Sequence, residues 1–197
     1  MSDIAGVLEA ANEVEQFCRA QRWRFCFIGG VAVQRWGMPR FTQDVDLTLM
    51  TGLGSEGQFV EALLERFPGR LNDTRQFALE TRVVLLRTAG GVDLDFSLGA
   101  FPFEEGTVER ASLWTVDEGI SITTCSAEDL LIHKAFASRD RDWGDVESIL
   151  SRRHGRLDLA HVRRELPALL ELKDDFESMG KLERMIASVD RRLRQDP

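Results

Sequence analysis

Asp44 and Asp46 stand one residue apart in a stretch that alternates strictly, with Val45, Leu47 and Leu49 on one side and Asp44, Asp46 and Thr48 on the other. A period of two is the pattern of a half-buried strand, so both carboxylates leave the same face. Neighbouring carboxylates repel one another unless a cation lies between them, and oxygen donors of this kind suit a hard divalent ion such as magnesium. A second stretch, Val92-Asp93-Leu94-Asp95-Phe96, supplies two candidates for a third acid, Asp93 and Asp95, again on one strand face. Upstream, the apolar run Arg24 to Ile28 ends on Gly29-Gly30. Glycine lets backbone N–H groups approach a phosphate closely, and a following helix adds favourable partial charge at its N-terminus. Alone, a Gly-Gly pair is commonly a turn, and an Asp-x-Asp is commonly a pair of solvated strand acids. In this order and these contexts they point to metal-assisted chemistry on a phosphorylated substrate.

The elements that must position these residues are legible from periodicity. Ile4, Val7, Leu8, Ala11, Val14, Phe17 and Cys18 recur at helical spacing, which predicts an opening amphipathic helix to about residue 21. Strands are expected over 24–28 and 43–50, with a short helix over 31–36 closed by Gly37 and Pro39. A helix is expected over 56–67, followed by a hairpin of strands 83–87 and 91–98 turning at Ala89-Gly90-Gly91. From Ser126 the texture becomes helical. Ser126 with Asp129 three residues on reads as an N-terminal cap, and further helices are expected over 143–153, 158–173 and 174–194. The expectation is therefore an α/β (α+β) core of residues 1–125, a small mixed sheet flanked by helices, and a helical C-terminal part, 126–197.

Composition sets the outer bounds. With 43% apolar and 29% charged residues in 197, the chain reads as an ordinary globular protein with enough length to bury a core. No apolar run is long enough to span a bilayer, and Met1 to Gly6 lacks the basic and apolar pattern of a leader, so a cytoplasmic protein without membrane contact is expected. Cys18, Cys26 and Cys125 are odd in number and widely spaced, which fits reduced buried thiols. From Ser138 onward 13 basic and 13 acidic residues balance, so the preceding part carries the whole formal charge of −8. That acidity argues against broad non-specific nucleic-acid binding. The paired arginines Arg152-Arg153, Arg163-Arg164 and Arg191-Arg192 are interleaved with acids and read as solvated helix faces. His133, His154 and His161 form no ligand set, and the four tryptophans read as core or interface residues.

The succession Gly-Gly, Asp-x-Asp and a distant strand acid resembles the nucleotidyltransferase superfamily that includes DNA polymerase beta. The closer resemblance is to the AbiEii-like abortive-infection nucleotidyltransferases of bacterial toxin–antitoxin systems. It is carried by Gly29, Gly30, Ala32, Gly37, Arg40, Thr42, Asp44, Asp46, Leu47 and Val92-Asp93-Leu94, then by Ala127 to Val146, which includes Lys134, Arg139, Asp142 and Asp145. The resemblance implies that Gly29 and Gly30 hold a nucleoside triphosphate. It also implies that Asp44 and Asp46 bind two magnesium ions, and that Asp93 completes the metal site and helps activate an attacking hydroxyl. Asp93 ranks ahead of Asp95, because the family shows one acid followed by apolar residues. The resemblance further implies phosphate contacts for Arg40 and Lys134 and a turn-orienting role for Thr42. Without it, Arg40 reads as a surface arginine, Lys134 as a solvated helix lysine, and Asp142 and Asp145 as caps of the next helix.

The reaction implied is transfer of a nucleoside monophosphate to an acceptor hydroxyl on tRNA or protein. The implied setting is toxin–antitoxin or phage defence, with a cognate partner. Small-molecule transfer of the aminoglycoside type, and a non-catalytic neutralising partner with the same fold, are the alternatives.

Overall fold

The structure, a computed structural model, describes residues 4–195; the first three residues, part of the stretch read for a leader, and the last two lie outside it. Cα packing divides the chain into two units. One takes the chain up to Ala32 together with Phe41–Cys125, and the other takes Val33–Arg40 together with the chain from Ser126.

The first unit opens with α1 (Ile4–Ala20), whose Val7, Ala10, Ala11, Val14 and Cys18 are buried at helical spacing. Then follow β1 (Phe25–Phe27), α2 (Gly29–Trp36, within which the division into units falls), β2 (Asp44–Met50), α3 (Glu56–Arg66) and α4 (Thr74–Thr81). β3 (Val83–Arg87), β4 (Asp93–Gly99), α5 (Pro102–Glu109), β5 (Ser112–Asp117) and β6 (Ile120–Thr124) complete it. The six strands form one mixed sheet in the order β3-β4-β2-β1-β6-β5. β2 lies at its centre, antiparallel to β1 and parallel to β4. The apolar side of that alternation, Val45, Leu47 and Leu49 with Leu94, Phe96 and Leu98 of β4, is closed off from solvent in the core. Phe17, Trp23, Phe59 and Phe67 close edge-on or tilted against one another at the rim of the same core.

The architecture is the α/β one expected, with the hairpin of β3 and β4 in place. Four features differ from expectation, the first being α4, in a span between 67 and 83 where no element was expected. The Gly-Gly pair does not precede its helix but forms the first turn of α2. The expected strand over 91–98 begins only at Asp93, because Gly91, with φ +83, turns the hairpin. The span between β4 and Ser126, for which no element was expected, holds α5 and the β5–β6 hairpin.

The second unit is helical: α6 (Ala127–Ala137), α7 (Asp140–Arg152), α8 (Leu159–Glu171) and α9 (Ser178–Gln195). The expected cap of α6 is present, Ser126 Oγ accepting from the Asp129 N–H at 3.0 Å. The helix ends at Ser138, whose φ of 57° stops propagation. Buried Asp129 accepts from one ring nitrogen of His161 at 3.1 Å, tying α6 to α8. Cys18, Cys26 and Cys125 are buried, and none of them is joined in a disulfide. Burial pushes the Cys18 thiol far up, with Glu15 adding to the effect, so it is inert. No helix among the described residues is long and apolar enough to cross a membrane.

Candidate active site

β2 and β4 pair in parallel with Asp44 opposite Asp93 and Asp46 opposite Asp95. Because both strands bury their odd-positioned or even-positioned apolar partners beneath the sheet, all four carboxylates emerge on the opposite face. Neighbouring strands lie about 4.8 Å apart, so the four acids form a compact rectangle.

The glycines fit against this face. Gly29 has φ +58, and a Cβ built on it would lie 2.6 Å from Cγ of Asp46. No side chain fits there without displacing that carboxylate. A Cβ on Gly30 would lie 2.8 Å from Cβ of Thr42. Thr42 is itself buried and donates its hydroxyl to Asp44 Oδ1 at 3.0 Å. The Ile28 N–H donates to the Asp46 carbonyl at 2.9 Å, fixing the approach of the glycine turn to β2. The structure thus brings together Gly29, Gly30, Thr42, Asp44, Asp46, Asp93 and Asp95.

Two arginines that sequence reasoning missed reach the same acids. Arg70, between α3 and α4, forks across β4, donating Nη1 to Asp93 Oδ2 at 2.7 Å and Nη2 to Asp95 Oδ1. Arg87, at the end of β3, donates Nε to the other oxygen of Asp93 at 2.6 Å. Asp93 and Asp95 are similarly exposed, at 30% and 35%, yet their carboxyls move in opposite directions. The Arg87 hydrogen bond, with Arg70 behind it, holds Asp93 below the usual carboxylate range. Burial pushes Asp95 up, and the charges of Asp44 and Asp93 add to that push, so that its single arginine does not offset them. Arg87 had a readable signal, since it faces Asp93 across an expected hairpin. Arg70 had none, being brought in by the bridge of Gly69 to Leu86.

As donors, the four carboxylates fit a hard divalent cation in kind and in their shared face. With Arg70 spanning two of them, no three His, Cys, Asp or Glu side chains among the described residues gather closely enough to hold one.

Arg40 and Lys134 belong to the second unit. The expectation of a solvated Lys134 is corrected: its side chain is 8% exposed and its Nζ lies 2.9 Å from both Asp142 Oδ1 and Asp145 Oδ2, which are 3% exposed. Arg40 engages Asp145 through Nε at 2.6 Å and Nη2 at 2.7 Å, a forked pairing rather than a free surface position. Burial works against the Asp145 anion, but the hydrogen bonds of Arg40 and Lys134 outweigh it and hold the carboxyl below its ordinary range. Asp142 and Asp145 are not helix caps either. α7 starts at Asp140 with Arg139 in the cap position, which places both aspartates inside the helix, facing Lys134.

Paired acids on β2 and β4, parallel neighbours inside the mixed sheet, beside a glycine turn are consistent with a nucleotidyltransferase fold. The sequence profile of the AbiEii nucleotidyltransferase toxins of type IV toxin–antitoxin systems matches residues 18–196. The chain belongs to that family, and its activity is nucleotidyl transfer. An antigenic nucleotidyltransferase-like protein from Paracoccidioides brasiliensis is similar in structure, with a TM-score of 0.49 and 18% identity over 87% of this chain and 90% of that one. The antibiotic-resistance factor ANT(2'')-Ia is similar with a TM-score of 0.44 and 15% identity over 98% and 96%. No curated protein matches the chain.

Proposed function

We propose that this chain moves a nucleoside monophosphate from a nucleoside triphosphate to an acceptor hydroxyl on tRNA or protein, with magnesium as cofactor, in a bacterial cytoplasm and opposite a cognate antitoxin. The observation that carries the reading is the pairing of Asp44 with Asp93 and of Asp46 with Asp95 beside Gly29. Bound divalent cations would polarise the α-phosphate and acidify the acceptor hydroxyl. Asp44 and Asp46 are the proposed ligands, with Thr42 fixing the Asp44 carboxylate through its hydroxyl. Asp93 and Asp95 supply the third acid. The double arginine pairing of Asp93 favours Asp95 as the group that takes the acceptor proton. The acceptor oxygen then bonds to the α-phosphorus as its bond to the bridging oxygen breaks, and pyrophosphate leaves.

Gly29 and Gly30 offer backbone without side chains at the start of α2, which suits the triphosphate. Phosphate contact by Arg40 or Lys134 requires those side chains to leave Asp145 and Asp142. The test is incubation with magnesium, each α-labelled triphosphate in turn, total RNA and protein extract, beside an Asp44→Ala/Asp46→Ala variant. Label entering RNA or protein only with the intact acids supports the reading. Label in neither, from folded protein, refutes macromolecular transfer and leaves small acceptors.

A further inference from the structure

Arg70 is placed with more care than a surface ion pair needs. Its backbone N–H donates to the Leu85 carbonyl at 3.0 Å, and the Arg87 N–H donates to Pro68 at 3.0 Å, so residues 68–70 lie along β3. Directly after it, Thr74 Oγ1 bonds both the N–H and the carbonyl of Leu71, at 3.0 and 3.1 Å, closing a tight turn. The backbone under Arg70 is therefore fixed by bonds that do not involve its side chain. The side chain is 18% exposed, and its buried Nε has no hydrogen-bond partner among the described residues. Among the described residues, the Asp93 and Asp95 carboxylates hold its head. Arg87, by contrast, is 53% exposed and pairs with Asp93.

We propose that Arg70 is an exchangeable resident cation of the carboxylate face: its guanidinium occupies the place between Asp93 and Asp95 until a divalent ion takes it, and it swings out on a fixed backbone when the ion arrives. The inference rests on the reading of these acids as cation ligands. It accounts for two observations together, the four acids facing one another in a folded chain and the absence among the described residues of any three gathered for a metal. A guanidinium carries one charge spread over a plane, whereas a divalent ion concentrates two. The exchange thus favours the ion only above a threshold concentration, and Arg70 sets that threshold.

Manganese titration tests this, read by the paramagnetic resonance of the free ion and requiring no turnover. Arg70→Met is expected to bind manganese at least 10-fold more tightly than the unaltered chain. Arg87→Met removes the same charge from the exposed side of Asp93 and is expected to change affinity less than about 3-fold, which separates displacement from simple loss of positive charge. Arg70→Lys keeps a charge but loses the fork; it is expected to fall between, and it carries the test if Arg70→Met does not fold. In the unaltered chain, magnesium should shift the Arg70 Nε–Hε resonance.

Manganese binding to the unaltered chain with equal or weaker affinity in Arg70→Met overturns the proposal alone, since Arg70 would then be supporting the ligands. Manganese binding to neither, or binding that survives Asp44→Asn/Asp46→Asn, overturns it together with the cation-ligand reading.

Discussion

Lys134→Met is the most discriminating perturbation of the second unit. The methionine keeps the length of the buried stem and removes only the ammonium. Asp145 then retains both bonds from Arg40. Asp142 does not fare as well: its Oδ1 loses Lys134, its Oδ2 is already without a hydrogen bond, and Arg139 Nε stands 3.8 Å away. The cost is that of one orphaned buried carboxylate, about 3–5 kcal/mol, and not of two. At 2–4 °C per kcal/mol for a chain of this length, the melting temperature should fall by roughly 6–20 °C. Thermal unfolding followed by far-ultraviolet circular dichroism measures the shift, and urea unfolding followed by tryptophan fluorescence measures the free-energy loss. Lys134→Met/Asp142→Asn removes the orphaned charge as well and should recover at least half of the loss. A Lys134→Met loss under about 1 kcal/mol, or no recovery in the double variant, refutes the claim that this lysine holds α6 to α7.

The glycine turn and the last helix supply two further expectations. Gly29→Ala must place a side chain at φ +58 and inside the Asp46 carboxylate. It should cost about 1–3 kcal/mol and abolish label transfer; full activity at unchanged stability would refute the close approach. Asp175 accepts from the N–H groups of Glu177 and Ser178 and from the Ser178 hydroxyl at the start of α9. The Ser178 bonds come first in holding its carboxyl far below the ordinary range. Its contribution is therefore complete above the unfolded value near pH 3.9 and is lost as pH falls through the depressed folded value. Asp175→Ala should lower stability by about 1 kcal/mol at pH 7, a deficit that narrows below pH 4; a deficit that widens there would reverse the sign argued here.

Much of this was readable before any coordinates. The alternation of Val45, Leu47 and Leu49 with Asp44 and Asp46 marked a strand, although Thr48, on the side of the acids, is buried as well, and Ser126 with Asp129 marked the start of a helix. The unread elements hid for physical reasons. β5 is an edge strand with Leu113 exposed and neither face fully buried, so its alternation is weak. α4 is polar along most of its length and is set by the Asp73 side chain accepting from the Gln76 N–H. α5 did carry a signal, Pro102 at its first turn and Glu104 accepting from the Ala100 and Phe101 N–H groups. In the candidate site, the acids and glycines announce themselves by type and spacing. Arg70 does not, because nothing local relates a loop arginine to a strand it meets only after the sheet has formed. The ion pairs of Lys134 and Arg40 were hidden similarly, since one aspartate spacing serves equally for caps and for a buried network.

The parallel pairing of β2 with β4 also sets a timetable. α3, α4 and β3 intervene between the two strands in the chain. During synthesis, Asp44 and Asp46 therefore leave the ribosome well before the residues that will stand opposite them. A nascent chain that has not yet released β4 holds only half of the carboxylate face, and no local rearrangement supplies the rest. Insertions and deletions in the intervening segment alter this delay without altering the face, whereas slipping β4 by one residue turns both of its acids toward the core. For a member of a toxin family, the order of the strands thus withholds the complete acid set until most of the first unit has been made.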